Sequence, residues 1–130
     1  MPVPGKLINP NFAGVVSDYR DVVLKYMLRE IAGYVRFRTV TPSWDNSARR
    51  QNNAFVLHRS SPGAFQAWLE AVFEETREQH SGDERIVFLN AWNEWAEGNH
   101  LEPDARFGHG YLEAVNRALT HGLLCGGFDG

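Results

Sequence analysis

The sequence holds one cysteine, no long apolar run and no excess of positive charge. Because Cys125 has no second cysteine to pair with, an internal disulfide is excluded. No run approaches the roughly 20 apolar residues that a membrane-spanning helix needs, and residues 1–6 lack the apolar core of a signal peptide. The net charge of −3 offers no electrostatic basis for binding nucleic acid. We therefore expect a cytoplasmic protein with neither a membrane span nor a nucleic-acid partner.

The rest of the composition is that of an ordinary globular protein, with 43% hydrophobic and 22% charged residues in a chain of 130. Hydrophobic periodicity predicts three helices that alternate with two strands. This alternation is typical of βαβ units, in which helices cover parallel strands. The predicted elements are a helix over Tyr19–Ala32, a strand over Tyr34–Val40, a long loop from Pro42 to Ser60, a helix that begins at Ser61-Pro62 and fades after Thr76, a strand over Ile86–Asn90 and a helix over Gly110–Leu119.

These elements predict a single, partial domain. Residues 1–16 are rich in proline and glycine and are expected to be irregular, residues 17–122 form the βα units, and residues 123–130 form a flexible, Gly-rich tail. Two strands do not make a stable parallel sheet, since such a sheet is normally buried on both faces. We therefore expect the chain to be incomplete as a folding unit.

The most informative stretch runs from Phe88 to Asp104, where a short apolar run passes into polar sequence. It carries three glutamates and two tryptophans: Trp92, Glu94, Trp95, Glu97 and Glu102. Paired acids can divide acid and base work, and an indole ring stacks on the C–H face of a sugar. Their position at a strand end favours a carbohydrate site over the alternatives, a solvated pair of glutamates and buried core tryptophans.

A second polar block follows the first predicted strand and runs from Pro42 to Arg50. Its Asp45 and Asn46 can hold sugar hydroxyls, and an arginine such as Arg50 can pair with an acidic group. The alternative is a turn in which these side chains bond to nearby backbone, which the run Asp-Asn-Ser favours. Because the carboxyl ends of parallel strands share one side of a sheet, we expect this block, including Trp44, to lie beside the glutamates.

The two blocks together resemble a known family. The run Asn90-Ala-Trp-Asn-Glu-Trp-Ala-Glu-Gly98, followed by His100-Leu-Glu-Pro-Asp104, resembles the signature of the WbsX-like proteins. These are bacterial relatives of glycoside hydrolase family 99, the endo-α-mannosidases. The block from Pro42 to Arg50 is similar to another segment of the family, and the resemblance covers roughly Asp18–Leu119. Family 99 proteins are similar to (β/α)8 barrels, so the resemblance implies an α/β fold: the C-terminal βα units of a partial (β/α)8 barrel, with two recognisable parallel strands and three helices.

The chemistry that the resemblance implies is cleavage of an α-linked glycoside with retention of configuration, as in endo-α-mannosidases. Glu94 matches the residue that assists through the sugar 2-hydroxyl and leads to an epoxide-like intermediate. Glu97 matches the acid that protonates the leaving oxygen and then activates water. The expected substrate-binding residues are Trp44, Asp45, Asn46, Arg50, Trp92, Asn93, Trp95, His100 and Glu102.

Two other functional classes stay open. WbsX-like proteins are associated with bacterial surface-polysaccharide genes and are also described as glycosyltransferases, which fits O-antigen or lipopolysaccharide biosynthesis. However, the sequence has no Gly-rich phosphate loop and no Asp-x-Asp motif for a nucleotide sugar. The third class is an inactive, carbohydrate-binding fragment.

The expected ligands and partners follow from these classes. We expect no cofactor and no metal, since a site at His100, Glu102 and Asp104 lacks the cysteines or several histidines that zinc sites usually bring. The expected partners are an oligosaccharide or polysaccharide, together with either the missing N-terminal part of the barrel or a second copy of the chain.

Overall fold

The computed structural model of the protein describes residues 9–125 and has a mixed α/β fold. Its strands are short, at two to four residues each, whereas its two longest helices have 18 and 16 residues. The strands are β1 (Val15–Asp18), β2 (Arg38–Val40), β3 (Phe55–His58), β4 (Val87–Leu89), β5 (Asn93–Glu94) and β6 (Asn99–His100). The helices are α1 (Tyr19–Met27), α2 (Ser47–Arg50), α3 (Pro62–Gln79) and α4 (Gly110–Cys125).

The strands pair in three separate couples. β1 lies parallel to β3, with Val15 opposite Phe55, and β2 lies parallel to β4, with Thr39 opposite Phe88. β5 and β6 form a small antiparallel hairpin. The predicted parallel arrangement of β2 and β4 is thus confirmed. Within residues 9–125, however, the two parallel pairs are not joined into one sheet, so these residues alone do not form a continuous arc of a barrel.

The sequence prediction misses four strands and one helix: the two short strands β5 and β6 of loop 90–104, the longer strands β1 and β3, and α2. β1 begins inside the lead predicted to be irregular, and β3 and the short helix α2 lie inside the predicted loop from Pro42 to Ser60. Four-residue strands are too short for a periodic pattern, and each of these depends on a partner that is distant in the chain. Gly14 admits that partner, since a Cβ there would lie 2.1 Å from the carbonyl oxygen of Ala54.

The segment between α1 and β2 is less regular than predicted. The sequence predicts a helix to Ala32 and a strand from Tyr34, but α1 ends at Met27 and β2 begins at Arg38. Most apolar side chains in this segment are exposed, and Leu28 is 82% exposed. An apolar pattern extends a helix mainly where tertiary packing covers it, which explains the early end of α1.

The last helix is longer than predicted. α4 passes through Gly122, which the sequence predicts as its end, and continues to Cys125, so the predicted tail is helical at its start. Arg77 of α3 donates a hydrogen bond to the carbonyl of Gly122 (2.8 Å). Contact with α3 outweighs the roughly 1 kcal/mol that glycine costs in a helix. The rest of the predicted tail, 126–130, and the first half of the predicted lead, 1–8, lie outside the described residues. None of the helices within residues 9–125 combines the length and the apolar composition that a membrane span requires.

The core lies between α3 and α4 and the strands that they cover. Ser61 caps α3 by accepting a hydrogen bond from the N–H of Ala64 (3.2 Å), and Pro62 is its first residue, as predicted. Trp68, predicted to lie in the core, is 4% exposed. Small residues on α4, such as Ala114, let the two helices approach closely. The buried apolar side chains are Tyr19, Val40, Leu57, Phe65, Trp68, Leu69, Val72, Leu101, Tyr111, Ala114 and Ala118.

The β2–β4 pair has one covered face and one open face. Val40 is buried and Val87 and Leu89 are partly buried against the helices. Thr39 and Phe88 point to the other side, where Phe88 is 53% exposed. The loops that leave the carboxyl ends of these two strands carry both of the sequence motifs.

Candidate functional site

Loop 90–104 follows β4 and is anchored from the inside. Asn99 is fully buried, and its Oδ1 accepts a hydrogen bond from the N–H of Ala91 (3.0 Å). Leu101 is 2% exposed, and its N–H donates to the carbonyl of Trp92 (2.9 Å). These contacts tie the two ends of the loop together, so the side chains between them stand on a fixed base.

The tip of the loop is a tight turn between β5 and β6. Residues Trp95–Glu97 form one 3-10 turn, and Gly98 follows in the left-handed conformation with φ of +56°. A Cβ on Gly98 would lie 2.8 Å from the backbone oxygen of Asp45. Glycine is therefore required at this position both for the turn and for the close approach of the neighbouring block.

Block 42–50 packs directly against this tip. The N–H of Asp45 donates to the carbonyl of Glu97 (2.8 Å). Arg49, at the end of α2, donates from Nη1 to Glu97 Oε1 (3.0 Å) in an ion pair. The two motifs singled out in the sequence thus lie in contact at the carboxyl ends of β2 and β4.

The three glutamates have different surroundings. Glu94 is exposed on β5, whereas the Glu97 side chain is 22% exposed and is held by Arg49. Glu102 Oε2 accepts a hydrogen bond from the indole N–H of Trp95 (2.6 Å). Glu94 is therefore open to a ligand, while Glu97 and Glu102 have orientations set by a neighbouring side chain.

The tryptophans offer aromatic surface around these acids. Trp92 is 57% exposed and Trp95 is 48% exposed. Trp95 lies flat on His100, with ring centroids 3.7 Å apart and an interplanar angle of 14°. One indole face is covered by the imidazole, and the exposed surface of the ring remains for a ligand. Trp44 is partly buried, and its indole N–H has no acceptor among the described residues.

Two further candidate residues hydrogen-bond to nearby backbone, and two others are exposed to solvent. Asp45 Oδ1 accepts a hydrogen bond from the N–H of Ser47 (2.9 Å), and Asn46 Oδ1 accepts one from the N–H of Phe55 (2.7 Å). These are the local backbone contacts weighed as the alternative to sugar binding, and they position α2 against β3. Arg50 and Asn93, by contrast, are exposed, and so their side chains are accessible to a ligand.

A cleft of about 540 Å³ opens beside the two blocks. Trp44, Thr41 and Asn90 line it at the strand ends, and Tyr26 and Leu57 line its apolar side. Small-molecule sites typically occupy roughly 300–1,000 Å³. The cleft therefore has room for a small ligand beside Trp44 and Asn90.

Sequence reasoning did not assign to four residues the roles by which they organise the site. They are Ser43, whose hydroxyl donates to the carbonyl of Gly98 (2.6 Å), and Arg49, Asn99 and Asp104. Arg49 rather than Arg50 reaches Glu97. The run from Asp104 to Phe107 carries one available signal, because aspartate commonly accepts hydrogen bonds from backbone two and three residues ahead. The roles of the other three depend on contacts between distant segments.

The pKa of the Asp104 carboxyl group is lowered from its usual value. Burial alone would raise the pKa of Asp104, but hydrogen bonds from the N–H of Phe107, from His100 and from the N–H of Arg106 outweigh burial and lower it. Its Oδ2 lies 3.0 Å from His100 Nε2. Among residues 9–125, no group of three or more histidine, cysteine, aspartate or glutamate side chains is arranged to hold a metal ion.

Comparison with known proteins places the chain among bacterial sequences. The family described as Glycosyltransferase WbsX matches residues 4–115. Two strains of Xanthomonas campestris pv. campestris, B100 and ATCC 33913, each have a similar protein named uncharacterized protein WxcX. Each is 39% identical to this chain over 115 residues, which are 88% of this chain but 16% of the relative. No solved structure matches.

Proposed function

This chain belongs to the family described as Glycosyltransferase WbsX, and we propose that loop 90–104 and block 42–50 form a carbohydrate-processing site. The reaction we propose is cleavage of an α-linked glycoside with retention, in which Glu94 and Glu97 act on the glycosidic bond. Because the chain spans 16% of the length of the curated relatives it matches, the activity belongs to the assembly that contains this chain.

The observation that carries the proposal is the combination of acids and indoles on a braced loop. Glu94 and Trp92 are exposed, Trp95 is half exposed, and buried Asn99 holds the loop that presents them. Arg49 orients the Glu97 carboxylate from the neighbouring block. Two acids beside aromatic surface, with fixed backbone beneath, are the elements that glycoside chemistry needs.

In the proposed reaction, Glu94 takes the proton of the sugar 2-hydroxyl, and the 2-oxygen attacks the anomeric carbon. The glycosidic bond breaks as Glu97 gives its proton to the leaving oxygen. In the second step, Glu97 takes a proton from water and the water oxygen attacks the anomeric carbon. The bond between the anomeric carbon and the 2-oxygen breaks, and Glu94 returns its proton to the 2-oxygen. The Arg49 contact occupies one oxygen of Glu97, so the other oxygen is the one that carries the transferred proton.

Transfer to a sugar hydroxyl is the second candidate, since the matched family is described as a glycosyltransferase. The same two acids then act on an acceptor hydroxyl in place of water. The remaining candidate, a binding fragment without activity, requires only the indoles. The products distinguish the three: a free sugar, a longer glycan, or a bound glycan left unchanged.

The test uses Glu94→Gln and Glu97→Gln in the assembly that contains the remaining length of the family protein, with an α-mannoside as substrate. Each variant is expected to lower turnover by about a hundredfold or more, as loss of an essential acid or base does. Glu78→Gln, an exposed acid on α3 far from the loop in sequence, is the matched control and leaves turnover unchanged. Near-normal turnover of both loop variants would refute the assignment.

We also infer that the open face of β2–β4 is covered by further βα units of the same domain, as in a (β/α)8 barrel. Phe88 is 53% exposed and lies against Phe37, which is 38% exposed, with ring centroids 6.2 Å apart. Parallel sheets are normally covered on both faces, and the relatives contain much more chain than this one. The site is then completed by residues of other strand ends.

This inference predicts that the 130-residue chain alone associates through its apolar strand face. Phe88→Glu is expected to shift the sedimentation profile toward the monomer, because a charge on the open face cannot be buried without cost. Val15→Glu, an equally exposed apolar residue on β1, is the control for a general gain in solubility. A monomer of unsubstituted chain with a sharp, two-state unfolding transition would contradict the inference.

A further inference from the structure

Three aromatic rings, those of Tyr111, His100 and Trp95, lie in contact with one another from the core to the surface of the site. Tyr111, on α4, is 3% exposed and meets His100 edge-on, with ring centroids 6.3 Å apart and an interplanar angle of 73°. His100 in turn lies flat against Trp95 at 3.7 Å. The outermost ring, Trp95, therefore takes its plane from the imidazole, which is itself packed against the core.

Asp104 holds the middle ring of this stack. Its Oδ2 lies 3.0 Å from His100 Nε2, and its Oδ1 accepts hydrogen bonds from the backbone N–H groups of Arg106 (2.8 Å) and Phe107 (2.6 Å). The Asp104 and His100 side chains are only 12% and 13% exposed. Both carboxylate oxygens are thus committed to partners, and the imidazole cannot rotate without breaking a contact in a largely buried place.

The contact between Asp104 and His100 determines which nitrogen of the imidazole ring carries the hydrogen. Hydrogen bonds lower the pKa of Asp104, so its carboxylate is ionised at neutral pH and can only accept. His100 Nε2 must then carry the hydrogen and donate it. The ring orientation that results is the one on which Trp95 stacks while its own indole N–H donates to Glu102 (2.6 Å).

We propose that Asp104 is a positioning residue, which sets the plane of the Trp95 indole through His100 and thereby presents a sugar-stacking face beside Glu94 and Glu102. The part of this inference that names a sugar rests on the proposed function, whereas the positioning of Trp95 does not. Among the described residues, the side-chain hydrogen bonds of Asp104 reach His100 and two backbone N–H groups, so its effect on the Trp95 indole passes through the imidazole.

The test is Asp104→Asn, which keeps the shape of the side chain and one oxygen for the N–H groups of Arg106 and Phe107. Its NH₂ group then faces His100 Nε2, which must become an acceptor, so the hydrogen moves to Nδ1. Nitrogen-15 NMR of the histidine rings distinguishes the two forms. We expect the Nε2–H form in the unsubstituted chain and the Nδ1–H form in the variant, together with a changed fluorescence of Trp95, identified by its loss in Trp95→Phe.

The matched control is Asp83→Asn, which makes the same chemical change at an exposed position of the 3-10 turn Gly82–Glu84. It is expected to leave the His100 form and the Trp95 fluorescence unchanged. An Nδ1–H form in the unsubstituted chain would overturn the proposal even where Asp104→Asn does not fold. An unchanged Trp95 signal in a folded Asp104→Asn variant would overturn it as well.

The binding of methyl α-mannoside tests whether the positioned Trp95 indole presents a face to a sugar. Asp104→Asn is expected to weaken binding about three- to tenfold, the scale of a displaced aromatic contact, and Trp95→Ala to weaken it at least as much. A folded variant that loses the Nε2–H form yet binds the sugar as tightly as the unsubstituted chain would overturn the sugar-presenting role. If the assembly that contains the unsubstituted chain does not bind the sugar, the proposed function fails, and the NMR and fluorescence results still decide the positioning of Trp95.

Discussion

The inner and outer sides of loop 90–104 differ in almost every physical respect. On the inner side, Asn99 and Leu101 are buried and bonded to the backbone of the same loop. On the outer side, Trp92 is 57% exposed and Glu94 is exposed on the short strand β5. The inner side chains therefore hold the shape of the loop, and the outer ones have no comparable structural task.

Because of this difference, substitutions can separate the residues that maintain the conformation of the loop from those that would act on a ligand. A change on the inner side should lower the free energy of unfolding, because it leaves a buried polar group without its hydrogen-bond partner or creates a steric clash. A change on the outer side should leave stability almost unaltered and act on ligand or turnover. Pairs of substitutions, one on each side of the loop, test whether the two sides differ in this way.

The largest effect on stability is expected for Gly98→Ala. Alanine at φ of +56° is strained, and its Cβ would lie 2.8 Å from the backbone oxygen of Asp45. We expect a loss of about 3 kcal/mol in the free energy of unfolding, measured by urea titration of the assembly that completes the domain. Gly82→Ala is the matched control, since Gly82 has a similar φ of +53° but nothing within 4 Å of the added Cβ. Equal losses in both variants would show that the contact with block 42–50 contributes nothing.

A smaller effect is expected for Asn99→Ala. Its removal leaves the N–H of Ala91 without its acceptor in a buried place and opens a small cavity. We expect a loss of about 2 kcal/mol in the free energy of unfolding. Asn93→Ala, the same change on the exposed strand β5, should stay within about 0.5 kcal/mol. A large loss in Asn93→Ala would mean that the outer side of the loop also holds its shape.

Sequence reasoning reached the parts of this arrangement that depend on local pattern. The cap at Ser61-Pro62 and the buried Trp68 follow from residues close together in the chain, and both are confirmed. The parallel pairing of β2 with β4 follows from the order of elements. In contrast, β1 and β3 are short strands that need each other, and Gly14 reveals its role only once Ala54 is beside it.

The same distinction holds within the site. The acids and indoles of loop 90–104 stand out in the sequence because several unusual residues lie within a few positions of one another. The contacts of Ser43, Arg49 and Asn99 join segments that are distant in sequence or pass through buried backbone. Hydrogen bonds of this kind leave no periodic signal, so their roles emerge only from the three-dimensional arrangement.

The smallest effect on stability is expected for Arg49→Met, which removes the ion pair between block 42–50 and Glu97. The Arg49 side chain is 61% exposed and that of Glu97 is 22% exposed, so solvent screens much of the attraction. We expect a loss below about 0.5 kcal/mol in the free energy of unfolding, and a smaller loss in added salt. Methionine keeps much of the apolar stem of arginine, so the change isolates the charge and its hydrogen bond. If Arg49 serves to orient Glu97, turnover of the assembly should fall severalfold in Arg49→Met although stability is kept, whereas Arg117→Met, which breaks the exposed ion pair with Glu113 on α4, should leave turnover unchanged. A double-mutant cycle with Glu97→Gln measures the coupling directly, and a coupling above about 1.5 kcal/mol would mean that this outer contact holds the fold together as the inner ones do.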